Sequence, residues 1–254
     1  MAYYSYKYGK YGSYGKDAAL FEVREAFRTI RTNLMFSVVK KGCKTIVFTS
    51  SIQGEGKTTV ASNVAFSIAR NNRKVLLLDL DLRRPRVHRL LKLPNTPGLT
   101  NYLGGFNSLE EVIRKEVYEN LDVICAGTVS PNPAEIIASA PMVALLKEAE
   151  KHYEYIIIDT PPINLVSDAL PIIKISDGVV LVARERYSSH PEIKKTIEKI
   201  NFIQGKILGF VMNGAHDNKT LGYSGKKHHY YYGTGSGNSS SSASSANKPT
   251  ESKQ

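Results

Sequence analysis

Short, continuously apolar runs alternate with longer segments of helical periodicity along most of this chain. The apolar runs predict β-strands at 45–50, 74–79, 121–126, 155–159, 178–183 and 206–212. Helical patterns lie between most of them, at 59–70, 134–153, 168–175 and 191–203. Ser108 and Glu111 have the spacing of a capping box and predict one further helix start.

This alternation predicts an α/β protein with three layers. Strands that are apolar throughout are typical of a mostly parallel central sheet whose two faces are both covered by helices. In such a sheet, ligands bind beyond the carboxyl ends of the strands. The polar residues that follow the strands are therefore the candidates for chemistry.

A long amphipathic helix is predicted before the first strand, at 17–39, because apolar residues recur there at helical spacing. Its other face carries Glu25, Arg28 and Arg31. Taken alone, three such charges are typical of a solvated helix face with weak internal ion pairs.

Both ends of the chain have the composition of flexible tails. Residues 1–16 contain, after Met1, only Ala, Tyr, Ser, Lys and Gly, and residues 216–254 are polar with a serine-rich end. We therefore expect one domain at 17–215 between an N-terminal tail and a C-terminal tail. Each tail carries tyrosines, and the adjacent histidines of the second tail offer only a weak, open metal site.

Composition narrows the class of protein. A length of 254 residues suffices for one α/β domain with a substantial core. The net charge of +11 fits a nucleic-acid ligand, an anionic membrane surface or a solvated exterior, and no nucleic-acid-binding motif supports the first. Two cysteines are too few for a disulfide framework, and no signal peptide or spanning segment of ~18 apolar residues is visible. We expect a cytoplasmic protein.

The stretch between the first strand and the next helix has the form of a phosphate-binding loop. It matches the pattern G-x-x-x-x-G-K-[ST] except that Ser51 replaces the first glycine. Gly54 and Gly56 allow the backbone to turn its N–H groups toward a phosphate, Lys57 supplies a charge, and Thr58 offers a hydroxyl to Mg²⁺. A glycine-rich surface turn is the alternative interpretation. The predicted nucleotide-binding residues of this stretch are Gln53, Gly54, Glu55, Gly56, Lys57, Thr58 and Thr59.

Carboxylates follow two of the predicted strands. Asp79 and Asp81 alternate after one strand, so both leave the same side of an extended backbone, and Asp159 ends another strand in the manner of a Walker B motif. A close carboxylate pair requires a cation or a proton. We predict that Asp79 is a general base and that Asp81 and Asp159 bind Mg²⁺ together with Thr58. An ATP hydrolase and an ATP-dependent kinase would share these groups.

The phosphate-binding loop and the aspartate motifs, taken together and in their order along the chain, resemble those of the bacterial tyrosine kinases of capsular and exopolysaccharide operons. The resemblance covers about 22–213, and includes the Walker A loop at 53–58, a second Walker A-like motif at 78–85 and the Asp-Thr-Pro-Pro motif at 159–162. It implies a P-loop NTPase-like fold, ATP and Mg²⁺ as cofactors, and catalysis by Asp79, Lys57 and Asp81. It also implies autophosphorylation in trans and control of polysaccharide synthesis and chain length.

The resemblance assigns partners and further residues. It implies a transmembrane activator, or polysaccharide co-polymerase, that holds the protein at the inner face of the membrane, and a cognate tyrosine phosphatase. It places Glu25, Arg28 and Arg31 in the interface of a ring of unphosphorylated subunits, and Asn213 near the adenine. The implied phosphorylation sites are Tyr223, Tyr230, Tyr231 and Tyr232. Because the N-terminal tail also carries a Tyr-Gly repeat, which tail is the main acceptor stays open.

Two rival functions are compatible with a phosphate-binding loop. A MinD/ParA-type ATPase switch usually has a lysine early in this loop, where the present chain has Ile52. A non-catalytic nucleotide-binding adaptor would be expected to lack Lys57 and Asp79, and both are present. The sequence therefore favours the kinase over both rivals.

Overall fold

The computed structural model describes the backbone of residues 13–215 and the side chains of residues 21–215. The C-terminal tail with its four predicted phosphorylation sites, and residues 1–12, lie outside this range. The first helix begins at Ser13, four residues before the predicted start, and ends at Ser37.

A seven-stranded sheet forms the centre of the described part. Its strands are β1 (Lys44–Ser50), β2 (Val75–Asp79), β3 (Ile113–Tyr118), β4 (Leu121–Ile124), β5 (Tyr155–Asp159), β6 (Gly178–Arg184) and β7 (Ile207–Asn213). Their order is β3-β4-β2-β5-β1-β6-β7, and every neighbouring pair is parallel except β3 with β4. The prediction of a mostly parallel sheet is confirmed.

Helices cover both faces of the sheet. They are α1 (Ser13–Ser37), α2 (Lys57–Ala69), α3 (Val87–Leu91), α4 (Leu99–Leu103), α5 (Leu109–Val112), α6 (Pro133–Ile137), α7 (Ala140–Ala149), α8 (Leu170–Ile175) and α9 (His190–Phe202). Successive strand residues alternate between two cores. Leu76 and Leu78 pack on the side of α7 to α9, whereas Val75 and Leu77 pack on the side of α1 and α2.

One predicted helix differs from the structure, and strand β3 and the short helices α3 and α4 were not predicted. The single helix expected at 134–153 is two helices, α6 and α7, because the chain is extended at Ser139 and Pro141 lies in the first turn of α7. Strand β3 was not predicted, since its half-exposed sequence is rich in charge, as is common in an edge strand. The capping box at Ser108 is confirmed, although α5 spans only four residues.

The strand order brings three carboxyl ends together at one edge of the sheet. Strand β5 lies between β2 and β1, with Asp159 in register with both Asp79 and Phe48. The loop after β1 and the aspartates after β2 and β5 therefore meet. Within the described range, no helix is both long and apolar enough to cross a bilayer.

Candidate active site

The loop between β1 and α2 requires glycine at two places. Gly54 and Gly56 both have φ of 90°, in the left-handed region that glycine adopts readily. A Cβ atom on Gly56 would lie 2.0 Å from the Asn213 side-chain nitrogen, and one on Gly54 would lie 3.0 Å from the Tyr187 hydroxyl oxygen. The neighbouring side chains thus leave no room for a larger residue at Gly56.

Helix α2 starts at Lys57, directly after this loop. The first N–H groups of a helix have no partner within the helix, and the helix dipole favours negative charge at this end. The N-cap residue of this helix is Gly56, which has no side chain to cap it. The loop and the start of α2 together therefore have the chemistry of a phosphate site.

Lys57 lies between two carboxylates. Its Nζ is 2.9 Å from Asp81 Oδ2 and 3.4 Å from Asp159 Oδ1, and all three side chains are buried. Burial by itself would lower the pKa of Lys57, but Asp159 and Asp81 outweigh it and raise that pKa. Lys57 is therefore a buried cation that is available to exchange carboxylate partners for phosphate oxygens.

Thr58 and Asp159 form the second contact of the site. The Thr58 hydroxyl donates to Asp159 Oδ2 at 2.6 Å. Asp159 is fully buried, and burial raises its pKa although Lys57 and Thr58 oppose the shift. The pair has the geometry expected of a P-loop hydroxyl beside a Walker B carboxylate.

Asp79 is held by backbone groups of the segment that follows β2. Its carboxylate accepts N–H groups from Asp81 at 3.1 Å, Arg86 at 3.2 Å and Val87 at 3.0 Å. Complete burial, followed by repulsion from Asp159, raises the pKa of Asp79 to about 8. A carboxyl group with a pKa near neutral is suited to exchange a proton with a reacting group.

The donors at this edge fit a magnesium ion that also binds phosphate. Thr58, Asp81 and Asp159 supply the hard oxygen ligands that Mg²⁺ prefers. Among the described residues, no group of three or more His, Cys, Asp or Glu side chains is arranged to hold a metal alone. Mg²⁺ commonly uses one or two carboxylates and completes its shell with substrate phosphates and water, so the donor set fits a metal–nucleotide complex.

The remaining predicted loop residues have differing surroundings. Gln53 accepts a bond of 2.9 Å from the Arg84 side chain, and the Glu55 carboxylate accepts the Ile52 N–H at 2.8 Å. Asn213 donates to the Glu55 carbonyl oxygen at 2.9 Å. Thr59 is exposed on α2. Asn213 thus lies against the loop, and the carboxylate of Glu55 is bonded within the protein.

Sequence reasoning missed a group of residues that contact the loop from the end of β6. They are Arg184, Tyr187 and Ser188, which contact the loop residues Gly54, Gln53 and Glu55 respectively. These three residues match no motif. Only their position at the carboxyl end of a parallel strand, where ligands bind, could have indicated from the sequence that they belong to the site.

The predicted interface residues lie on α1 and differ in their surroundings. Glu25 and Arg28 form an exposed ion pair at 2.8 Å. Arg31 instead donates to the Ser67 carbonyl oxygen of α2 at 3.0 Å. Arg31 therefore links two helices of the same chain, while Glu25 and Arg28 are exposed to solvent.

Comparison with known proteins identifies relatives of this chain. Residues 43–210 match the family model described as an AAA domain. Tyrosine-protein kinase YwqD of Bacillus subtilis is 40% identical over 208 residues, which cover 81% of this chain and 88% of that protein. Putative tyrosine-protein kinase CapB of Staphylococcus aureus is 36% identical over 210 residues, covering 83% of this chain and 92% of that one.

Solved structures show the same relationship. The kinase domain of the Escherichia coli tyrosine kinase ETK is 34% identical, with a TM-score of 0.74 and 80% of each chain covered. The septum site-determining protein MinD of Pyrococcus horikoshii, complexed with Mg-ADP, is 25% identical, with a TM-score of 0.56 and coverage of 67% and 70%. The fold is that of P-loop NTPases, and the chain belongs to the family of bacterial tyrosine-protein kinases.

Proposed function

We propose that this kinase transfers the γ-phosphoryl group of ATP to tyrosines of its own C-terminal tail in a neighbouring subunit. The observation that carries the proposal is the contact of Lys57 and Thr58, at the start of α2, with the carboxylates at the ends of β2 and β5. These groups surround the place where the terminal phosphates of a loop-bound nucleotide would lie.

Lys57 neutralises phosphate charge in this proposal. Its Nζ leaves Asp81 and Asp159 for the phosphate oxygens, while the loop N–H groups and the start of α2 hold the other phosphates. Bound Mg²⁺ would supply the cation that balances the carboxylates and the transferred phosphoryl group. Thr58, Asp81 and Asp159 are the residues that would hold this ion.

Asp79 accepts the phenol proton in this proposal. A tyrosine hydroxyl has a pKa near ~10 and must lose its proton as the new P–O bond forms. Backbone N–H groups hold the Asp79 carboxylate in one orientation, and burial keeps its pKa high. The catalytic residues are then Asp79, Lys57 and Asp81, and Asn213 lies near the adenine.

The proposed regulation acts through charge. The acceptors Tyr230, Tyr231 and Tyr232 follow the basic pair Lys226 and Lys227, and Tyr223 precedes it. Each phosphate adds about −1.5 to −2 charge. Unphosphorylated subunits would assemble into a ring through Glu25, Arg28 and Arg31, and repulsion between phosphorylated tails would dissociate it. A transmembrane activator would hold the ring at the inner face of the membrane, and a cognate phosphatase would reset it. The output would be control of capsule or exopolysaccharide chain length.

One experiment separates the proposed kinase from its two rivals. The full chain is incubated with Mg-ATP, with and without the cytoplasmic segment of a candidate activator, and phosphotyrosine and released phosphate are both measured. The kinase predicts phosphotyrosine that Lys57→Met and Asp79→Asn abolish, while Lys40→Met, a surface lysine change, retains it. Phosphate release without phosphotyrosine would instead support the MinD/ParA-type switch, and neither signal would support the adaptor.

A further inference from the structure

A short turn after β6 contacts the phosphate-binding loop from outside. The Tyr187 hydroxyl donates to the Gln53 carbonyl oxygen at 2.9 Å, and the Arg184 Nη1 donates to the Gly54 carbonyl oxygen at 3.3 Å. The two side chains also contact each other, since the Arg184 guanidinium lies 5.4 Å from the centre of the Tyr187 ring. We refer to Arg184, Tyr187 and Ser188 as the loop latch.

The third member of the loop latch contacts Glu55. The Ser188 hydroxyl bonds to one carboxylate oxygen of Glu55 and accepts the Arg184 N–H at 2.7 Å. The other Glu55 oxygen accepts the Ile52 N–H at 2.8 Å, and the residue is only 1% exposed. The loop is therefore bonded to the latch at Gln53, Gly54 and Glu55 in succession.

These contacts orient the N–H groups that a phosphate needs. A trans peptide is planar, so its N–H points away from its carbonyl oxygen. The bond from Tyr187 fixes the Gln53 carbonyl and thereby turns the Gly54 N–H to the opposite side. The bond from Arg184 fixes the Gly54 carbonyl and orients the Glu55 N–H in the same way. The loop latch thus favours the conformation in which successive N–H groups face the phosphate site.

Tyr187 is the accessible member of this arrangement. The residue is 50% exposed, and its hydroxyl is the group that bonds to the loop. A phosphate ester at that oxygen has no hydrogen to donate to the Gln53 carbonyl. It would also place about −1.5 to −2 charge beside the loop that receives the nucleotide phosphates.

We propose that Tyr187 is a positioning residue for nucleotide binding, and that phosphorylation of its hydroxyl would switch nucleotide binding off. The inference rests on the proposed use of ATP. In the modifying step, the γ-phosphoryl group of ATP forms a bond to the Tyr187 oxygen, the bond to ADP breaks, and a base takes the phenol proton. Tyr187 acts through the loop and does not itself take part in the reaction.

The first test measures Mg-ADP affinity by titration calorimetry on the full chain. Tyr187→Phe removes only the hydroxyl, and loss of one hydrogen bond of typical strength predicts affinity that is about 3- to 10-fold weaker. Tyr153→Phe is the matched control, because it also removes one tyrosine hydroxyl and its hydrogen bond, which is 2.6 Å long and goes to Asp122. Tyr153 lies just before the amino end of β5, away from the loop. The control is expected to bind as the wild type does.

A structural readout accompanies the affinity. Amide NMR signals of Gly54 and Glu55 in the nucleotide-free chain should shift in Tyr187→Phe and stay in place in Tyr153→Phe. Affinity of Tyr187→Phe within twofold of the wild type, with unshifted signals, would overturn the positioning role. Failure of the wild type itself to bind Mg-ADP would instead overturn the proposed nucleotide chemistry, and this inference with it.

The second test installs phosphotyrosine at position 187 during translation. Repulsion adds to the lost hydrogen bond, so Mg-ADP affinity should fall at least tenfold below that of Tyr187→Phe. Equal affinity of the phosphorylated chain and Tyr187→Phe would overturn the switch, while leaving the positioning role in place. A thermal midpoint measured without nucleotide confirms that each variant is folded.

Discussion

Replacing Lys57 with methionine should destabilise the nucleotide-free protein strongly. The side chains of Lys57, Asp81 and Asp159 are 9%, 8% and 0% exposed, and the two ion pairs measure 2.9 and 3.4 Å. Methionine fills a similar volume but leaves the carboxylates without their buried cation. Breaking a buried pair in this way costs about 3–5 kcal/mol. At about 2–4 °C per kcal/mol for a domain of this size, the thermal midpoint should fall by about 6–20 °C.

The stability that Lys57→Met loses relative to the wild type should increase with pH. Burial already raises the pKa of Asp159 above 3.8, and without Lys57 that pKa rises further. A carboxyl group with a raised pKa binds more protons in the folded state than in the unfolded state. Its contribution to stability is therefore complete below about pH 4 and is lost as the pH rises toward the folded-state pKa. The difference between wild type and variant should be smaller at pH 5.5 than at pH 8.

Urea unfolding followed by circular dichroism at these two pH values tests the reasoning. Lys40→Met is the matched control, because Lys40 pairs with Asp177 at the same distance of 2.9 Å but is 41% exposed. An exposed pair of this kind contributes ~1 kcal/mol or less. The reasoning is refuted if Lys57→Met costs no more than Lys40→Met, or if its cost does not increase with pH.

Three further predictions concern other parts of the molecule. Arg31→Ala should lower stability by about 1–2 kcal/mol through its lost bond to α2, whereas Arg28→Ala should change urea unfolding by less than ~0.5 kcal/mol. If the proposed ring forms, both variants should sediment as smaller species. Burial raises the pKa of the Cys43 and Cys125 thiols to about 11 and about 12, so a thiol reagent at pH 8 should modify them slowly until urea unfolds the chain. Gly56→Ala forces a Cβ into a left-handed conformation at the loop and should abolish Mg-ADP binding in calorimetry.

Most elements of this fold were predictable because their signals are local. A buried parallel strand is apolar throughout, so each of the six predicted strands is present, with ends that differ by two residues or fewer. The loop before Lys57 and the aspartates that end β2 and β5 are likewise short motifs at the carboxyl ends of strands. The interpretation as a bacterial tyrosine kinase needed only these motifs and their order, and the relatives confirm it.

Contacts between distant segments needed the tertiary structure. The sequence contains no signal that β5 lies between β1 and β2, yet this order is what places Asp159 against both Lys57 and Thr58. The sequence predicted that Arg31 lies on a solvated helix face or in an assembly interface. Only the packing of α1 on α2 brings its side chain within hydrogen-bond distance of the Ser67 carbonyl oxygen. Strand β3 was not predicted because it lies at the edge of the sheet and is partly exposed, so its sequence is not an apolar run.

The sequence motifs therefore determined which catalytic and binding groups this protein has, and tertiary packing decided which side chains hold those groups in position. Tyr187 is separated from Gln53 by 134 positions, and no residue pattern joins them. They meet because β6 lies beside β1 in the sheet, so that the chain leaves β6 at the phosphate-binding loop. Side-chain hydrogen bonds of this kind depend on where strands end in space, which the linear pattern of apolar and polar residues does not encode.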